Sequence, residues 1–252
     1  DNLRAALAWV TTAPGSEELA IALAGNSLRV WNATFQLSEG MRRCMALRQH
    51  LRDEMPLAVV ARFWLTIARL GIYSTRRESY DAAGSAAELY RQIGDASRLF
   101  DALLAGAVQG VRFGTTEDME RAVAEAARLE RPDWPPRQRA FLEFARGRVF
   151  ARQGRMEDSL AAGLRQAEIC KRAGFEVNMH YAMSNVVAAE SQLGRPEAAL
   201  ARARNSIARL EDRVPADIGA PQTHESRVAV PLVHHDSAAL LADKVFSLGD
   251  AS

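Results

Sequence analysis

The 252-residue sequence predicts an all-α fold. It reads as a right-handed superhelix, an α-solenoid of about five antiparallel helix hairpins with a ~40-residue period, ending in a half-hairpin. Three observations predict it. Gly114, Gly154 and Gly194 stand 40 residues apart, each closing one apolar helical run and preceding another. Counted from these glycines, small or compact residues dominate three columns, although Met119 and Ile67 are larger. The columns are Ile67, Ala107, Gly147 and Val187; Ser79, Met119, Ser159 and Ala199; and Ala83, Val123, Gly163 and Ala203. Paired helices approach to about 8–10 Å only where side chains are small, so the columns predict the closest approach within each pair. Finally, β-branched runs of period two are absent, and Ala, Leu, Arg and Glu dominate.

Turn chemistry places the elements. A short helix from Asn2 to Thr11, within a leading segment 1–12, ends at Ala13-Pro14-Gly15 and is recapped at Ser16. Hairpins then span about 16–51, 56–93, 95–130, 135–173 and 175–212. Gly154 and Gly194 are expected as left-handed helix ends, with Pro196 opening the next helix, where its missing N–H costs nothing. Thr115 to Asp118 and Thr75 to Glu78 read as capping boxes. Gly94-Asp95 and Gly174-Phe175 close second helices. After residue 212 the periodicity fails. Pro215, Pro221 and Pro231 mark an irregular loop over 213–237, and a last helix is expected over about 238–248, part of the same array. That unpaired helix, together with a first residue that is Asp1 and not Met, suggests a chain cut in mid-array.

Composition narrows the function. No apolar stretch approaches the ~20 residues of a membrane span. A formal net charge of +1 leaves no general basic field for nucleic acid, so direct nucleic-acid binding is not expected. Only Lys171 and Lys244 are lysines among the 32 basic residues; arginine carries the rest. Cys44 and Cys170 fall in different hairpins without a CxxC pattern and read as small buried hydrophobes in a reducing cytoplasm. A phosphate loop is impossible because neither lysine follows a glycine, and HExxH, GxSxG and GxGxxG are absent. No catalysis and no cofactor are expected. His224, His234, His235 and Asp236 could be read as metal ligands or as solvated loop residues; the sequence lacks spacing that would impose ligand geometry, and no metal is expected. An enzyme using His180 and Glu190 fails on geometry, since ten residues along one helix separate them by nearly three turns.

The hairpins with their compact columns resemble the tetratricopeptide repeat, whose unit is usually shorter. Units of this length resemble the helical sensor regions of bacterial regulatory ATPases of the AfsR and MalT type (STAND ATPases). Three stretches carry this likeness: Asp1-Asn2-Leu3-Arg4-Ala5-Ala6-Leu7-Ala8-Trp9, Leu37-Ser38-Glu39-Gly40-Met41-Arg42-Arg43, and Leu89-Tyr90-Arg91-Gln92-Ile93-Gly94-Asp95. Phe35-Gln36 stands where that family usually turns on glycine, and segment 213–237 has no counterpart in it. The resemblance implies a signal-responsive transcriptional regulator, with the DNA-binding and ATPase domains elsewhere in the parent chain. A stand-alone scaffold or peptide-binding adaptor is the alternative.

The resemblance also implies that first helices line a concave groove. By register the groove positions are Arg29 and Asn32, then Trp64, then Asp101 and Arg112. They continue with Phe141, Phe144, Arg148 and Arg152, and end with Tyr181, Ser184 and Gln192. Paired arginines and paired aromatics in the fourth hairpin would suit a protein or peptide segment, or a small acidic or aromatic inducer. Against this, Phe141 and Phe144 could be packing residues, and Arg148 and Arg152 a solvated face neutralised by Glu143 or Asp158. Trp9, Trp31, Trp64 and Trp134 are expected to pack.

Overall fold

The computed structural model describes residues 2–13, 15–34, 36–72 and 76–211, and among these every regular element is helical. Segment 213–237 with its histidines and Asp236, and the expected helix over 238–248, lie outside the described residues. The chain divides into two compact units, 1–133 and 134–252. The first holds α1 (Asn2–Val10), α2 (Glu17–Asn26), α3 (Leu28–Ala33) and α4 (Leu37–Leu47), with a 3-10 turn at Arg48–His50. It continues through α5 (Leu57–Leu70), α6 (Arg77–Ile93), α7 (Ala96–Phe113) and α8 (Thr116–Leu129). The second holds α9 (Pro136–Arg152), α10 (Met156–Ala173), α11 (Glu176–Gln192) and α12 (Pro196–Glu211). Within each unit successive helices pack on one another, and the first helices of neighbouring hairpins also touch. No described helix is long and apolar enough to cross a membrane.

The helix ends show why the glycines recur. Gly94, Gly154, Gly174 and Gly194 take φ of 78°, 75°, 69° and 70°, the left-handed region that glycine enters without penalty. The N–H after each donates five residues back, as from Arg155 to Phe150 O at 2.9 Å and from Arg195 to Glu190 O at 2.9 Å. Gly114 differs: it is extended, at φ −108° and ψ −179°. A Cβ there would meet Tyr80 Oη at 2.8 Å and Gly110 Cα at 3.2 Å, so close approach selects it. The next helix begins on a capping box, with Thr115 Oγ1 accepting from Asp118 N and Asp118 Oδ2 from Thr115 N.

Three local expectations need correction. Ser16 stands at the start of α2 without a side-chain cap. Helix α6 starts at Arg77, with Arg76 as an uncapped lead-in; Thr75 lies outside the described residues. The first hairpin's leading helix is broken into α2 and α3 at Ser27, whose hydroxyl donates to Ala24 O at 2.6 Å and accepts from Trp31 Nε1 at 2.8 Å. A hydroxyl that bonds its own preceding turn competes with the helical ladder.

The compact columns lie inside. Ile67, Ser79, Ala83, Ala107, Met119, Val187 and Ala199 are all buried. Ser159 Oγ donates to Gly147 O at 3.0 Å across the α9/α10 pair, and a Cβ on Gly71 would fall 2.2 Å from that of Ser79. The core of the first unit is built on Trp31, Phe63, Ile67, Tyr90, Phe100 and Leu104, all fully buried. Burial of such side chains stabilises by about 1.5–3 kcal/mol each. Leu142 and Val186 are the corresponding large residues of the second unit. Trp9 departs from the packing expectation: at 62% exposure it faces solvent from the last turn of α1.

Both cysteines are reduced and buried. Burial pushes the Cys44 thiol up to about 12, opposed by its hydrogen bond with Ser27, and raises Cys170 as well. In the native protein at pH 8 an aromatic disulfide reagent is therefore expected to modify neither thiol within minutes, and to modify both on denaturation. Prompt native reaction of one equivalent would contradict the packing around that cysteine.

Candidate functional site

The expected groove residues fall into two sets. In the first unit, Arg29 and Asn32 stand exposed on α3 and Arg112 is exposed near the end of α7. Trp64 is half-buried, edge-on to Phe63 at 5.6 Å, with the Arg48 guanidinium 5.5 Å from its ring centre. Asp101 faces Arg69 at 3.9 Å. These contacts are local to each side chain.

In the second unit the structure brings expected residues together. Phe144, Arg148 and Gln192 line one recess between α9 and α11, floored by α10, with a volume of about 70 Å³. Phe141 stacks on Phe144 with ring centres 6.3 Å apart; Phe144 is 9% exposed, so it forms wall rather than free surface. Arg152 is exposed one turn beyond Arg148, and Ser184 is half-buried beside Asn185. The Tyr181 and His180 side chains lie outside those described.

Sequence reasoning missed the polar residues that give this recess its chemistry. Glu143 also lines it, only 7% exposed, and both its oxygens are used: Oε1 accepts from Arg146 at 2.5 Å and Oε2 from Arg165 at 2.7 Å. Asp158 accepts from Arg155 at 2.7 Å. The charged residues of the lining are Glu143, which holds Arg146 and Arg165, and Arg148. Gln166, 4% exposed, contributes a buried Oε1 that accepts no hydrogen bond within the protein. Asn185, Ser159 and Gly163 also line the recess. Gly163 admits α11 closely, since a Cβ there would lie 2.9 Å from Val186 Cγ2.

The 40-residue register shows how unusual these residues are. Positions matching Glu143 in the other repeats are Phe63, Leu103 and Met183. Those matching Asn185 are Leu65, Ala105 and Ala145; those matching Gln166 are Ala86, Ala126 and Ser206. Phe63, Leu65, Ala86, Leu103, Ala105, Ala126 and Ala145 are buried apolar residues. Apart from half-buried Met183 and Ser206, three columns that build core in the other repeats turn polar in one recess. Burying polar groups costs stability unless partners satisfy them; Glu143 has Arg146 and Arg165 as partners, while Gln166 Oε1 has none.

A second groove, of about 440 Å³, lies in the first unit over α7 between α6 and α8. Its wall is mostly alanine and glycine, with Tyr80, Asp81 and Asp118 at one end. Asp118 is occupied by Thr115 and Arg121. Glu190, considered for catalysis, is buried and held by Arg202 at 2.7 Å. Among the described residues no group of three His, Cys, Asp or Glu side chains could hold a metal ion.

No protein-family model matches the chain. No curated protein matches it at a significant level. Among solved structures it is similar to a Rap protein complexed with competence and sporulation factor, with a TM-score of 0.64 and 13% identity over 94% of this chain and 76% of that one. At that identity the likeness speaks for fold alone: a tetratricopeptide-like helical repeat.

Proposed function

We propose that the chain is a non-catalytic binding module whose second unit takes a protein or peptide segment, or a small acidic ligand, in the α9/α10/α11 recess. The observation that carries this reading is the convergence of Glu143, Gln166 and Asn185 on a recess already lined by Phe144, Arg148 and Gln192. The Arg148 guanidinium on the lining suits a carboxylate, and Phe144 offers apolar area beside it. The solved neighbour of similar fold is itself complexed with a factor, which agrees with a ligand-holding role. The finer reading is the sensor region of a signal-responsive transcriptional regulator. It rests on the stretches at 1–9 and 37–43, which meet in space through Arg4 and Glu39. A bound segment would act there only by favouring one state of the parent protein over another.

The test is direct. Hexapeptides containing one glutamate and one phenylalanine are titrated by fluorescence polarisation. Binding is expected, and Arg148→Ala should weaken it about tenfold, the loss of one charge-assisted hydrogen bond of ~1.4 kcal/mol. Binding that survives both Arg148→Ala and Phe144→Ala unchanged would place the ligand elsewhere. An ATPase encoded beside this segment in the parent gene is the outcome expected for the regulator; a separate gene without one would leave an adaptor.

A further inference from the structure

We propose that the groove over α7, between α6 and α8, is a docking surface for a basic amphipathic helix of a partner protein. It is built entirely from the first unit, so the inference stands independently of the recess in the second.

The groove owes its volume of about 440 Å³ to glycine. Gly84 lies on its α6 wall, and Gly106 and Gly110 lie on its α7 floor. In the other repeats the positions matching Gly106 hold Thr66, Arg146 and Val186, and those matching Gly110 hold Leu70, Phe150 and Glu190. Cys44, Ala124, Leu164 and Arg204 match Gly84. Of the three glycines, Gly110 is explained by packing, since a Cβ there would lie 2.7 Å from Met119 Cγ. A Cβ on Gly84 would meet nothing within 4 Å, and one on Gly106 only Ala83 Cβ at an ordinary 3.5 Å. Both residues stand inside helices, where alanine is the more stable choice. The fold gains nothing from either glycine, whereas an occupant brought close to the backbone does.

Shape and charge describe that occupant. The floor runs from Ala102 to Gly110, about 12 Å or two helical turns. Helices approach to about 8–10 Å where the facing side chains are small, so a trough of alanine and glycine fits another helix. A compact organic ligand needs a few convergent polar groups to orient it. Outside its acidic end this lining offers one polar side chain, Ser85, whose hydroxyl donates to Asp81 O at 3.3 Å. The charged residues of the lining are Asp81 and Asp118. Arg77 stands 3.7 Å from Asp81, but both side chains are more than half exposed and such a pair contributes little. Helix α6 carries three acidic and two basic residues, and α8 four and two, so the two walls hold a net charge of −3. The matching partner helix has apolar residues at i, i+4 and i+7 on one face, and lysine or arginine at the end that reaches Asp81 and Asp118.

Two alanine-rich helical peptides, each with leucine at i, i+4 and i+7, serve as probes; one ends in two lysines and the other in two glutamates. Titrated against the full chain by fluorescence polarisation, the lysine peptide is expected to bind at least tenfold more tightly, by a margin that narrows as salt is raised. Gly84→Leu installs the residue that the fourth hairpin carries, in open space that leaves the fold intact, and should weaken the lysine peptide at least tenfold. Asp81→Asn should narrow the margin between the two peptides. Gly84→Ala should raise the melting temperature by about 1–4 °C. Equal binding of the two peptides, or binding that Gly84→Leu leaves unchanged, would overturn the inference, as would binding of neither. A melting temperature lowered by Gly84→Ala would give the glycine a structural reason and overturn it too. Tetrabutylammonium binding that Gly84→Leu abolishes, with neither peptide bound, would make the groove a small-cation site. A dimer in sedimentation that Gly84→Leu dissolves would make it a contact between copies of this chain. Either result replaces the partner helix.

Discussion

Gly40→Ala is expected to destabilise the first unit by about 1–3 kcal/mol, the cost of forcing extra volume into a packed core. The direction is informative because local propensity argues the other way. Gly40 sits inside α4, where alanine should stabilise by up to ~1 kcal/mol. Packing reverses the sign. A Cβ on Gly40 would lie 2.6 Å from Trp31 Cγ, 2.7 Å from Cδ1 and 3.0 Å from Cδ2. The indole cannot give way: it is 1% exposed, rigid, and tethered through Nε1 to Ser27, whose own hydroxyl is bound to Ala24 O. Denaturant unfolding measures the effect. In the double variant with Trp31→Leu, Gly40→Ala should cost at least 1 kcal/mol less than it does alone, since contacting residues couple. A Gly40→Ala protein as stable as the parent would mean that α3 and α4 do not pack as described.

The same position shows how a fold can be legible while its reasons are not. Glycine spacing revealed the hairpins because Gly154 and Gly194 do what an isolated turn requires, adopting positive φ. Gly114 shares their register yet is extended, and Tyr80 selects it from the preceding hairpin. The two causes are indistinguishable in a sequence, where a backbone constraint and a space constraint both read as glycine. Gly40, outside the register, gave no warning of Trp31. Ser27 is similar. Its hydroxyl divides the first leading helix into α2 and α3, but serine in an apolar helical run carries no signal until its partner is known.

The candidate site was half legible, for a definable reason. Assigning the groove to first helices found Phe144, Arg148 and Gln192 and excluded every residue of α10, hence Gln166. The missed signal was nevertheless present as polarity out of register. Glu143 stands in a column of Phe63, Leu103 and Met183, and Gln166 follows Ala86 and Ala126. A repeat protein supplies its own controls, because each unit shows what its equivalent positions need for packing alone. Departures from that baseline point to chemistry more sharply than arginines on an exposed face do. In the first unit the expected residues met no such test, and Arg29, Asn32 and Arg112 stand on the surface.

Glu39→Gln is expected to destabilise the first unit at neutral pH by about 1–2 kcal/mol, and the difference from the parent should shrink as pH falls from 5 towards 2. Arg4 donates to Glu39 through Nε at 2.9 Å and Nη2 at 2.7 Å, and Arg43 adds Nε at 2.8 Å. The hydrogen bonds from Arg4 are the main cause that holds the Glu39 carboxyl at about 2, with Arg43 assisting and burial opposing. An unperturbed glutamate titrates near 4.3, so the unfolded chain takes up its proton first as pH falls. Ionised Glu39 thus stabilises the folded state above that value, and the contribution is lost as pH drops through the folded value. Full conversion of the shift would exceed 3 kcal/mol. Glu39 keeps 18% of its side-chain surface and its arginines about a third, so solvent screening reduces the figure to the range stated. Subtracting the Glu39→Gln unfolding free energy from the parent's at each pH isolates this carboxyl from the others. A difference that stays constant between pH 7 and pH 2.5 would show that Glu39 contributes shape and not charge. The consequence reaches beyond one ion pair, because Arg4 lies on α1 and Glu39 on α4, and their contact attaches the leading helix to the first hairpin. Partial proteolysis should therefore release α1 earlier from Glu39→Gln than from the parent at pH 7, and by a smaller margin at pH 2.5.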